Sequence, residues 1–146
     1  MRALRVRASL IIRVNCSIHH VRHPTQLTYL NYPATSLFKH EGDEIRTWLQ
    51  GHVPDNFFVV CGDRHWQYHS VHPSAGVQEF SVGPASNSHA SGSPGEDKTY
   101  HRFHRVKGGF LCVELRPNGA ESEIAFQLRG VDGAVGYEAK FKRPVA

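Results

Sequence analysis

Residues 56 to 65 read Asn56-Phe57-Phe58-Val59-Val60-Cys61-Gly62-Asp63-Arg64-His65. The apolar part is short, continuous and rich in β-branched and aromatic residues. Such a run predicts a strand over 56–61 buried on both faces, as strands of parallel sheets are. Gly62 then lets the chain turn, and Asp63 and His65 emerge just past the strand's end. In open α/β sheets that end is where ligands collect. One residue separates the two, so in extended backbone they project to the same side. A carboxylate and an imidazole together make a partial shell for a transition metal, and Asp63 has the oxygens to bridge two ions. An Asp after Gly is also an ordinary turn or cap residue, so the pair alone leaves both readings open.

Working upstream, the spacing predicts a helix from Glu41 to Gln50. Ile45, Trp48 and Leu49 make one apolar stripe. Glu41, Asp43 and Glu44 suit the positive end of its dipole, and Gly51 stops it. A helix before a buried strand is the second half of a βαβ unit. Residues 1–30 differ in character. The first 40 residues hold six basic side chains and no acidic one, whereas 41–146 hold eleven basic and thirteen acidic. The net charge of +4 therefore belongs to the N-terminal segment. That basic segment, 1–30, is transit-peptide-like in composition but equally fits non-native sequence ahead of the domain, so its role is left open, and a general nucleic-acid footprint over the main body is not expected. No apolar run nears the roughly 20 residues of a membrane span.

Downstream, Gln78 to Val82 reads as a strand and Asn87 to Lys98 as a loop. Three strands follow: Phe110 to Arg116, Glu123 to Arg129 and Val135 to Phe141. Pro117-Asn118-Gly119 and Asp132-Gly133 separate them as turns. The expected class is α/β (α+β), with one helix and one buried strand ahead of an antiparallel meander. Cys16, Cys61 and Cys112 form neither a disulfide framework nor a zinc motif. Buried packing is expected of Cys61 and Cys112.

Several separated motifs occur in order: HEGDEIRTWL, DNFFVVCGDRHWQYHSVHPSAG, VQEFSVGPASNSHASG and YHRFHRVKGGFLCVEL. Together they resemble alkaline phosphatase D-like proteins of the calcineurin-like metallophosphoesterase superfamily, over about Asn31 to Phe141. The resemblance implies the C-terminal part of a metallophosphoesterase β-sandwich, running over 31–146. It implies hydrolysis of phosphate mono- or diesters at a two-metal centre, with Asp63 and His65 as ligands in a Gly-Asp-x-His block. The implied cofactors are divalent or trivalent ions (Fe, Zn, Mn or Ca). Arg64, Trp66, Tyr68, His69, Ser86, Asn87 and His89 become candidates for contact to ligands or substrate. The superfamily's earlier ligand blocks resemble Asp-x-His, Gly-Asp-x-x-(Asp or Tyr) and Gly-Asn-His-(Asp or Glu), and the chain has none of them. It is therefore expected to be a weak metal binder alone, completed by another chain, or a non-catalytic β-rich interaction module.

Three further expectations concern packing and charge. An uncovered edge at Phe57 to Cys61 predicts self-association. His69 and His72 are expected to be solvated or to support metal ligands. Arg102, His104, Arg105 and Lys107 form either an anion-attracting cluster or a solvated face, with Gly108-Gly109 bending the chain beside it.

Overall fold

A computed structural model describes residues 9–13, 39–53, 57–62 and 64–144. Its elements are β1 (Ser9–Arg13), α1 (Lys39–His52), β2 (Phe57–Cys61), β3 (Gln67–Val71), β4 (Gln78–Val82), β5 (His101–Arg105), β6 (Gly109–Asn118), β7 (Glu121–Gly130) and β8 (Val135–Pro144). The first five strands form one sheet in the order β1-β2-β4-β3-β5. Within it β1, β2 and β4 run parallel, while β3 is antiparallel to both β4 and β5. The last three strands form the meander β6-β7-β8. The coarse class is thus mixed α and β, mostly strand, as the sequence predicts.

The sequence of β2 explains its central place. All five residues are buried. Phe57 and Val59 face α1, where they meet Leu49 and Val77, with Ile45 and Val53 at the margin. Phe58 and Val60 face the meander, where they meet Phe80, Ile124 and Phe126. A strand covered on both faces has no polar side, so its sequence is continuously apolar.

Aromatic rings fill the layer between the sheets. Phe80 and Phe126 stack at 4.3 Å and 6°. Phe58 touches both Phe126 and Phe141 at 4.7 Å. Such pairs add about 0.5–1.5 kcal/mol beyond burial of their area.

Two expectations are corrected, and three strands appear that the sequence analysis did not name. The edge at Phe57 to Cys61 is not uncovered, because β1 and β4 both flank β2. β1 itself comes from the N-terminal segment: Ser9-Leu10-Ile11-Ile12-Arg13 supplies a strand in register with Phe57 to Cys61. The helical stripe is narrower than its spacing suggests. Leu49 is buried, but Trp48 is 56% exposed and stacks on His52 one turn later. Finally, β3 and β5 are strands where the sequence shows mainly polar and basic residues.

Gly108 and Gly109 are needed for close approach rather than for a bend. A Cβ at Gly109 would lie 1.9 Å from the Arg129 carbonyl oxygen, and one at Gly108 would lie 2.4 Å from the Ser86 backbone.

Candidate functional site

The candidate site lies at the rim where β2 and β4 end and β3 begins, because Cys61 aligns with Ser81 and Gln67 with Val82. Asp63 lies outside the described residues. Gly62 does not adopt a left-handed backbone, and a Cβ there would meet nothing. The turn does not require a glycine. His65 is exposed, and its backbone carbonyl accepts a 3.2 Å bond from the Ser91 N–H. The end of the VQEFSVGPASNSHASG segment, to which Ser91 belongs, is thereby tied to the motif.

The aromatic residues of the motif point inward. Trp66 and Tyr68 are buried with Cys61 in one cluster. The Arg64 guanidinium lies 4.7 Å from the Trp66 ring centre, a cation–π stack. Partial burial brings the Arg64 pKa down to about 10, with the Tyr68 and Glu79 groups opposing the shift. Arg64 therefore stays charged at neutral pH.

Beneath Arg64 sits a polar network that the sequence reading missed. Tyr68 Oη donates to Glu79 Oε1 at 2.5 Å. The Cys61 thiol lies 3.3 Å from Tyr68 Oη and 3.6 Å from the same carboxylate oxygen. Glu79 is fully buried. Burial, with the Glu79 charge second, raises the Cys61 pKa well above its ordinary value. Burial likewise raises that of Tyr68, with Cys61 next. Cys61 is a protonated buried thiol, not a nucleophile or a thiolate ligand. The sequence signal for the network was a glutamate inside the Gln78 to Val82 strand, on the face opposite Phe80.

His69 faces the other sheet. It is 4% exposed, and its ring stacks on Phe80 at 4.1 Å and 7°. Gln78 Oε1, 2.7 Å away, can only accept, so His69 Nε2 carries the proton. Nδ1 then accepts from the Tyr137 hydroxyl at 2.8 Å. Burial lowers its pKa to about 4. With both nitrogens engaged, His69 is neither solvated nor open to a metal. His72 Nδ1 accepts the Ala75 N–H at 3.1 Å in the turn that follows β3.

Ser86, Asn87 and His89 lie together in a short 3-10 turn, Asn87–His89. Ser86 Oγ caps it by accepting the Ser88 N–H at 3.2 Å. Asn87 Oδ1 accepts the Gly108 N–H at 2.9 Å, and His89 is exposed. On the outer face, His101 Nδ1 accepts the Asp97 N–H at 2.9 Å, and His104 Nε2 lies 2.7 Å from Ser93 Oγ. Burial lowers both imidazole pKa values, His104 adding to the shift at His101.

The structure thus brings His65, Arg64 and the 86–91 stretch to one rim, and it turns Trp66, Tyr68 and His69 into packing. Among the described residues no group of three or more His, Cys, Asp or Glu side chains is arranged to hold a metal. What is present fits a metal centre only in part. No family model matches this sequence, and no curated protein is similar enough to count as a relative.

Proposed function

We propose that the chain contributes Asp63 and His65 to the metal centre of a phosphoesterase whose remaining ligands come from another polypeptide. The observation that carries the reading is the position of the motif. An exposed His65 follows directly on a buried parallel strand, with the ordered motif series resembling alkaline phosphatase D-like proteins around it. Bound metal would supply charge to polarise a phosphoryl oxygen and to acidify water. The chain's own part would be to supply the two ligands just past the end of β2, with Arg64, stacked on Trp66, between them in sequence. A second reading, a non-catalytic β-rich module, is favoured by one observation: the buried groups beneath the rim, Cys61, Tyr68 and Glu79, satisfy one another.

Metal content and hydrolysis of a chromogenic phosphodiester, wild type against Asp63→Asn/His65→Ala, separate the two. Bound metal and turnover that vanish in the variant support the enzyme reading. Wild type free of metal and turnover, even with cell extract added, leaves the module.

A further inference from the structure

The rim carries a second feature on its inner side, between the sheets. A cavity of about 200 Å³ opens there, lined by Asn87, Arg105, Lys107, Asp132, Val135 and Gly136 among others. Its central group is the Arg105 guanidinium, which is held with unusual care. Arg105 Nε donates to Gln67 Oε1 at 2.7 Å. Gln67 is fully buried, and its amide nitrogen is fixed by two carbonyls, Val82 and Arg129, both at 3.0 Å. The far side of the guanidinium lies on Gly136, where a Cβ would come within 2.3 Å of Nη1.

Its charge, in contrast, meets an aromatic ring and no carboxylate: the guanidinium carbon lies 5.8 Å from the Phe103 ring centre. Among the described residues no carboxylate pairs with Arg105 or Lys107. Arg105 Nη2 is buried and lacks an acceptor there. The one acid on the wall, Asp132, uses Oδ1 to accept the Ala134 N–H at 3.0 Å. A positioned cation with no counter-charge in a partly enclosed site costs stability, and an anionic ligand would offset that cost.

We propose that this pocket binds a phosphoryl oxyanion through Arg105, Lys107 and Asn87. Three properties select the ligand. Two cations against one engaged acid favour an anion. The volume is below the about 300–1,000 Å³ of clefts that enclose drug-sized molecules, so the site takes a group and not a whole nucleotide. Donors from three directions suit a tetrahedral anion better than a planar carboxylate: β5 gives Arg105, the β5–β6 connection Lys107 and the 3-10 turn Asn87. Asn87 accepts through its oxygen, which leaves its amide N–H groups to donate. The proposal does not depend on a metal centre at Asp63 and His65.

The test is an amide-shift titration of the isotope-labelled chain with inorganic phosphate, and separately with phenyl phosphate, in EDTA. Chelation removes any phosphate held through metal, so this result is read apart from the metal reading. Shifts should cluster at Lys107, Gly108 and Ala134 to Gly136. Lys107→Gln should weaken binding about tenfold, the worth of one charge-assisted hydrogen bond. Gly136→Ala should weaken it comparably at unchanged net charge, by displacing the guanidinium. Tighter phenyl phosphate would identify an ester headgroup as the ligand, and equal affinity the free ion. Shifts scattered over basic residues, or binding that both variants leave intact, would overturn the site.

Discussion

The two faces of the first sheet are buried to a similar degree by different means. Toward the meander, β2 and β4 present Phe58, Val60 and Phe80, which pack on Ile124 and Phe126. The imidazole found there among the described residues, His69, is neutral and fully bonded. On the opposite face the same strands begin apolar, with Phe57, Val59 and Val77 under α1. Toward the rim that face turns polar, with Cys61, Tyr68 and Glu79. An apolar layer gains stability from area and tolerates no loss of volume. A polar one gains little net, and is costly only when one partner is taken away.

The largest break in that comparison comes from the inner layer. Phe126 is completely buried and contacts Phe58, Phe80 and Phe141. Phe126→Ala should cost about 3–5 kcal/mol, as a cavity in a close-packed core does. That is a large share of the about 5–15 kcal/mol of a typical domain. Urea denaturation measures it, and a loss under 1 kcal/mol would mean that the two sheets are not packed through this ring.

Next in size is a pH effect from the one imidazole of that layer. His69 has a folded pKa of about 4, against about 6.5 in an unfolded chain. Between those values the unfolded chain binds a proton that the folded chain refuses. Stability is therefore full above pH 6.5 and falls as pH drops toward 4, by up to about 3 kcal/mol. His101 and His104 shift the same way. His69→Gln should thus flatten the slope of stability against pH without abolishing it. A slope identical to wild type would show that His69 is not buried neutral.

Sequence legibility follows the same division. β2, β4 and the meander announce themselves, because burial on one or both faces imposes a period or a continuous apolar run. β3 and β5 do not: Gln67-Tyr68-His69-Ser70-Val71 and His101 to Arg105 are polar by composition. They are strands because tertiary partners satisfy those side chains, as Gln67 shows with bonds to three other strands. No window of local sequence contains that information. The candidate site divides in the same way. His65 at the strand end was readable from its flanks. The burial of Tyr68 and Trp66, and the pairing of Tyr68 with Glu79, depend on a residue eleven positions away.

The polar half of the outer face should break more gently. Tyr68→Phe removes the donor to Glu79 and little volume. Leaving a buried carboxylate oxygen short of one bond should cost about 1–3 kcal/mol. Equilibrium denaturation at pH 7 reads the change. A neutral result would mean that Glu79 has ample donors without Tyr68, and that the network is not what closes the rim.

The smallest effect is expected at Trp48 of α1, and it sharpens the comparison at its apolar end. Trp48 sits in the helical stripe by spacing, yet it is 56% exposed, and its ring contact among the described residues is with His52 of its own helix. Leu49, its neighbour in sequence, is 5% exposed against Phe57, Val59 and Val77. Trp48→Ala should therefore change stability by under about 0.5 kcal/mol, as surface substitutions usually do. Leu49→Ala should cost about 2–5 kcal/mol. The contrast between adjacent positions is the informative quantity, because it cancels any general effect on helix propensity. Equal losses would mean that Trp48 is covered in solution, and that α1 lies on the sheet through a wider stripe than the one described.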